Sequence, residues 1–150
     1  MISPGESNHA TMRALILDDS KLMRDVLCAY LHDFGFETVQ AEDGAEALLQ
    51  LDGNGHFDLV TVDWNMPRMS GLEFVEAVRR RTQLDTTKLL MLTARSNMHD
   101  VSLALRSGAN QYIMKPATYE TIQDRLALMG LVPDQSDDLE LIDHWIILGE

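Results

Sequence analysis

Five residues scattered through this chain could together handle a phosphoryl group. Asp18 and Asp19 close the apolar run of Arg13-Ala14-Leu15-Ile16-Leu17, and Asp63 closes Phe57-Asp58-Leu59-Val60-Thr61-Val62. Thr93 closes Lys88-Leu89-Leu90-Met91-Leu92, and Lys115 follows Gln111-Tyr112-Ile113-Met114. Three carboxylates brought close together repel one another, and a hard dication relieves that repulsion. Mg²⁺ takes oxygen ligands in an octahedron and keeps several waters. Asp19 and Asp63 can each give it an oxygen. Asp18 can hold a metal-bound water, and a backbone carbonyl near Asn65 can complete the protein's share. Asp63 also has the chemistry of a nucleophile, because carboxylates form acyl phosphates. Phosphoryl transfer depends mostly on positioning and charge neutralisation. The metal, the Lys115 ammonium and the Thr93 hydroxyl would each cover one outer phosphoryl oxygen.

For these groups to meet, the strands carrying them must be parallel and share one edge. The chain alternates short apolar runs with helical periods. Ser20 can cap a helix with Leu22, Met23, Val26, Leu27, Tyr30, Leu31 and Phe34 on one apolar stripe, ending at Gly35. Glu37 to Ala41 reads as a more polar edge strand. Asp43-Gly44-Ala45-Glu46 resembles a capping box, as does Ser70-Gly71-Leu72-Glu73. The second opens a helix through Val78 that ends in Arg79-Arg80-Arg81, read as cations facing solvent at a helix C-terminus. A strand over Leu89 to Leu92, a helix from about Met98 to Arg106 ended by Gly108, a strand over Tyr112 to Met114, and a helix capped by Thr118 follow. Five strand–helix units predict an α/β fold, a doubly wound five-stranded parallel sheet in the order 2-1-3-4-5. Ligands of such sheets sit beyond the carboxyl ends of the strands where the order reverses, here between strands one and three.

The totals bound the function. The chain has 150 residues, 45% of them apolar, which suits one ordinary globular domain. Acids outnumber Lys and Arg 24 to 12, for a net charge of −12. That balance argues against nucleic acid and anionic membrane as partners. One cysteine, Cys28, excludes an intrachain disulfide and fits a cytoplasmic location. No apolar run approaches the roughly 18 residues that span a bilayer. Residues 1–11 read as a flexible leader, 12–130 as the domain and 131–150 as an acidic tail. In the tail, Leu139, Ile142, Trp145 and Ile146 have helical spacing on one face. It packs back on its own domain or docks on a partner or a second copy.

Several motifs are similar to the receiver domain of bacterial two-component response regulators, over Ala14 to Met129. They are Leu17-Asp18-Asp19-Ser20, Val62-Asp63-Trp64-Asn65-Met66-Pro67, Met69-Ser70-Gly71-Leu72-Glu73-Phe74, Leu92-Thr93-Ala94 and Gly108-Ala109-Asn110-Gln111-Tyr112-Ile113-Met114-Lys115-Pro116. The stretch from Asp63 to Pro67 looks especially like the CheY-like, single-domain members with a flavodoxin-like fold. The resemblance implies that Asp63 is the phosphoacceptor, charged by a sensor histidine kinase, a phosphotransfer protein or a small phosphodonor. It implies Asp18 and Asp19 as the acidic pair for Mg²⁺, Asn65 as a carbonyl ligand, and Thr93 and Lys115 as phosphoryl contacts. Tyr112 matches an aromatic switch that turns inward as the Thr93 hydroxyl moves. The output face would be helix four, strand five and helix five, and the Lys115–Pro116 bond would be cis. Asn65 and Arg95 match positions that, in the family the motifs resemble, tune phosphoryl lifetime. Thr86-Thr87-Lys88 stands where the family often has proline, and Ala117 where it often has phenylalanine.

The expected function is a stand-alone phosphorylation-switched regulator of chemotaxis or phosphorelay type, with output through protein contacts. The roughly 20 residues beyond the receiver are too few for an effector domain. Three rivals remain. An aspartyl phosphatase would need an acid where Asn65 stands, and an amide cannot do acid–base work. A flavin carrier would need a phosphate-cradling loop where Asp18 and Asp19 repel phosphate. A degenerate receiver would act by binding alone and would not need the full five-residue set.

Overall fold

The computed structural model describes residues 11–95 and 97–132, so the expected leader up to residue 10 and the tail helix lie outside the described residues. The elements in order are β1 (Arg13–Leu17), α1 (Lys21–Asp33), β2 (Glu37–Ala41), α2 (Gly44–Gly53), β3 (Leu59–Asp63) and α3 (Gly71–Arg79). After a 3₁₀ turn (Thr82–Leu84) come β4 (Lys88–Thr93), α4 (Met98–Ser107), β5 (Gln111–Met114) and α5 (Tyr119–Leu128). All four strand pairings are parallel, and the order is β2-β1-β3-β4-β5. The doubly wound sheet expected from the alternation is the one that forms.

Alternate residues of each strand supply opposite faces. Leu15, Leu17, Val60, Val62, Leu89 and Met91 meet α2, α3 and α4 through Ala47, Phe74, Val75, Val78 and Ala104. Ala14, Ile16, Leu59, Leu90, Leu92 and Ile113 meet α1 and α5 through Leu27, Leu31, Ile122 and Leu126. Burial on both sides is why the central strands are apolar runs rather than alternating ones. Phe57 and Phe74 are among the largest fully buried side chains, each contributing roughly 1.5–3 kcal/mol by burial.

Four local expectations change. Leu22 is exposed in the first turn of α1, and the apolar stripe begins at Met23. β3 starts at Leu59 rather than Phe57: the Phe57 carbonyl accepts from the Thr87 hydroxyl at 2.8 Å, and the Asp58 carboxylate accepts from the Arg13 N–H at 2.9 Å. At α2 only half of the capping box forms. Asp43 accepts from the Glu46 N–H, but the Glu46 carboxylate accepts from the Glu42 N–H instead of returning to Asp43. Arg79 does not face solvent; its guanidinium donates to the carbonyls of Gly108, Leu84 and Thr87 and to Asn110 Oδ1. The Ser70 box is complete at α3, with Ser70 Oγ accepting from the Glu73 N–H and Glu73 accepting from the Ser70 N–H. Cys28 is buried on α1, as its place in the stripe implies.

Candidate functional site

The site is built at the carboxyl edge of the sheet, from residues that terminate strands. Asp18 follows β1 directly, with its N–H donating to the Ala41 carbonyl at the end of β2. Its Oδ1 accepts from the Ser20 N–H at 2.8 Å, so the turn into α1 orients this carboxylate while Ser20 Oγ accepts from the Met23 N–H. Arg24, one turn into α1, donates to the Asp18 carbonyl at 2.8 Å and to Gln40 Oε1 at 2.9 Å. The backbone of the acidic turn is therefore held from two sides. No sequence motif singles out Arg24 for this task; only the folded turn gives it one.

Asp63 ends β3, and Asp18, Asp19 and Asp63 each present a carboxylate oxygen within 4.8 Å of the others. Asp18 and Asp63 are buried, whereas Asp19 is exposed at the rim. Lys115, just past β5, reaches across β4 to place Nζ 2.8 Å from Asp63 Oδ1 and 3.8 Å from Asp18 Oδ2. Its backbone N–H donates to the Thr93 carbonyl at 2.8 Å, which fastens the end of β5 to the end of β4, and the Lys115–Pro116 bond is cis. Thr93 is buried, and its hydroxyl accepts from the Arg95 N–H at 2.8 Å. Asn65 is exposed in the loop after β3, and Tyr112 is half-buried against the α2–α4 side of the core. The structure thus brings Asp18, Asp19, Asp63 and Lys115 into direct proximity and sets Thr93 on the neighbouring strand end.

Burial pushes the Asp18 carboxyl above the usual carboxylate range. The Ser20 N–H opposes that rise, the Asp63 charge adds to it, Lys115 counters it, and Asp19 adds to it again. Asp18 Oδ2 is one of two buried side-chain oxygens among the described residues that lack a hydrogen-bond partner. Three carboxylates face one ammonium, so negative charge is left over and a buried oxygen is left without a hydrogen bond. A hard divalent cation with oxygen ligands answers both deficits, so the donor set fits Mg²⁺.

Two further residues shape the rim. Gly71 opens α3 so close to the end of β3 that a Cβ there would lie 2.8 Å from Trp64 Cα, and its N–H donates to the Trp64 carbonyl at 2.8 Å. The sequence suggests only a capping box at this point; the close approach is what requires glycine. Trp64 is buried beside Asp63, and the Arg95 guanidinium stands 5.0 Å from its ring centroid. Met66 and Met69 pack partly buried against the core in the same loop.

A five-stranded, doubly wound parallel sheet in the order β2-β1-β3-β4-β5, with an acid cluster and a lysine at its switch point, is a flavodoxin-like fold of the receiver type. The model of the response regulator receiver domain matches residues 14–127. Chemotaxis protein CheY1 of Helicobacter pylori is 36% identical over 119 residues, covering 79% of this chain and 96% of that protein. Chemotaxis protein CheY of Pseudomonas aeruginosa is 37% identical over 116 residues, covering 77% and 93%. The structure of CheY4 of Vibrio cholerae superposes with a TM-score of 0.75 at 36% identity, over 80% of this chain and 99% of that one. The chain belongs to the CheY-like response regulator receiver family. Among the described residues, no helix is long and apolar enough to cross a membrane.

Proposed function

We propose that this protein is a Mg²⁺-dependent signalling switch phosphorylated on Asp63. Asp63 Oδ attacks the phosphorus of a phosphohistidine on a sensor kinase or phosphotransfer protein, or of a small acyl phosphate. One P–O bond to Asp63 forms while the bond to the donor's nitrogen or oxygen breaks, and the leaving atom keeps the electron pair. Asp18, Asp19, Asp63 and the Asn65 carbonyl would hold the cation. When bound, Mg²⁺ supplies positive charge to the phosphoryl oxygens. Lys115 pairs with Asp63 before the reaction and with a phosphoryl oxygen after it. Thr93 then releases its hydroxyl toward the phosphoryl group, and Tyr112, on the adjacent strand, follows. Output passes to a protein target through α4, β5 and α5, in the cytoplasm.

The observation that carries this reading is the 2.8 Å contact of Lys115 with Asp63 inside a cluster of three carboxylates. The named chemotaxis relatives favour a motor or kinase regulator over a phosphorelay shuttle. Incubation with acetyl phosphate and Mg²⁺ should label the chain. Asp63→Ala should abolish the label, and Asp85→Ala, on an exposed residue far along the chain, should keep it. An unlabelled wild type, or a label that survives Asp63→Ala, overturns the reading.

A further inference from the structure

The peptide that joins Asp18 to Asp19 links two of the three clustered acids, so its orientation decides where both carboxylates stand. A peptide unit is planar, and holding its carbonyl holds the whole plane. Arg24 Nη1 donates to that carbonyl at 2.8 Å. The Asp18 N–H donates to the Ala41 carbonyl at 3.2 Å, and Asp18 Oδ1 accepts from the Ser20 N–H at 2.8 Å. Asp18 Oδ2 alone is left without a hydrogen bond, buried and 3.8 Å from Lys115 Nζ. Three of the four polar atoms of Asp18 are thus tied down, and the fourth is the one that belongs to the acid cluster.

The Arg24 guanidinium is seated at its other end as well. Its Nε donates to Gln40 Oε1 at 2.9 Å, which carries the strut from α1 across to the edge strand β2. Gln40 is held in turn, its amide nitrogen donating to Asp25 Oδ1 at 3.2 Å and to Cys28 Sγ at 3.3 Å. Arginine suits this place because its rigid planar fork meets two acceptors at once, where an ammonium is a point charge on a flexible stem. On charge alone a cation is badly placed here. Arg24 sets positive charge one hydrogen bond from the backbone of a site whose carboxylates suit a dication, and like charges repel. Geometry can outweigh that repulsion, since groups that orient metal ligands commonly change metal affinity by about 10–100-fold.

We propose that Arg24, seated by Gln40, is a positioning residue for the cation site, holding the Asp18–Asp19 peptide so that both carboxylates stay gathered with Asp63. This role rests on the Mg²⁺ site of the proposed function. The roles open to Arg24 differ in sign. If Arg24 acts on the acids only as a charge, its removal tightens Mg²⁺ binding. If it positions them, its removal weakens Mg²⁺ binding. If it serves stability alone, the Mg²⁺ affinity of the folded chain does not move.

Calorimetric titration of the full chain with MgCl₂, well below its unfolding temperature, reads the Kd directly. Arg24→Ala should raise the Kd about tenfold. Gln40→Ala changes no charge and none of the acids, and it should raise the Kd in the same direction by a smaller factor. Circular dichroism checks that each variant is folded, and where Arg24→Ala does not fold, Gln40→Ala decides. A Kd that falls or stays at the wild-type value in Arg24→Ala overturns the proposal, as does a wild-type Kd in Gln40→Ala. A wild type that takes up no Mg²⁺ fells this role and the proposed cation site together. A wild type that binds Mg²⁺ no better than Arg24→Ala fells the positioning role only.

Discussion

Arg79 shows how a residue's neighbours, rather than its type, set its role. It opens a run of three arginines, a pattern that on sequence grounds belongs to a solvated helix end. Instead its guanidinium gathers the loops below β4 and β5 by donating to three carbonyls and to Asn110, at 2.9 to 3.1 Å. Gly108 makes room for it, because a Cβ there would collide with the Arg79 side chain. Burial pulls the guanidinium below its ordinary value, with the Asp85 charge opposing, yet arginine stays charged throughout the working range. Arg79→Ala leaves half-buried carbonyls without a donor and should lower stability in urea unfolding by about 3 kcal/mol. Arg79→Lys should recover only a fraction, since an ammonium cannot fork to several acceptors. A loss below about 0.5 kcal/mol, ordinary for a surface substitution, would return Arg79 to the solvated role.

At the scale of elements, α1 and α5 are joined by an aromatic latch. The ring of Tyr119 stacks on Phe34 with centroids 4.6 Å apart and meets Tyr30 edge-on at 5.7 Å, while its hydroxyl donates to the Asp33 carboxylate. That hydrogen bond, then burial, then the Asp33 and Glu120 charges raise the Tyr119 pKa above 10.0. Because the folded value is the higher one, the latch is at full strength below pH of about 10 and is lost as pH rises through the folded value. An ultraviolet titration of phenolate should show one late-ionising tyrosine that Tyr119→Phe removes, and three tyrosines titrating together would dissolve the latch. Little of this is legible in the sequence, where Tyr30 and Phe34 count simply as stripe residues and Tyr119 lies 86 positions from Asp33. What is legible is whatever local chemistry dictates: the apolar strand runs, the Ser70 box, and the polar residues that close each strand. The acids of the candidate site stand out because burial of both sheet faces leaves only strand ends for polar groups. Arg24 and Gly71 stay hidden because their tasks exist only once distant backbones meet.

At the scale of the whole molecule, the acid cluster is a seam between parts of the chain remote in sequence. Asp18 comes from the end of β1, Asp63 from the end of β3, and Lys115 from the end of β5. Folding forces their charges together, and the unfolded chain does not. Like-charge repulsion and the Asp18 oxygen that lacks a hydrogen bond therefore weigh against the folded state alone. A cation that needs all three carboxylates binds only the folded chain, and at a hundredfold excess over its Kd it adds roughly 2.7 kcal/mol. Thermal unfolding should move upward on addition of Mg²⁺ and return on addition of EDTA. Asp18→Asn should raise stability without metal by on the order of 1 kcal/mol, since it removes a charge from the cluster, and should erase most of the metal-induced rise. NaCl of equal ionic strength should not reproduce the rise, because screening acts weakly on buried charges. If NaCl matches Mg²⁺, or if Asp18→Asn keeps the full metal effect, the cluster is a surface of screened acids and the seam holds no ion.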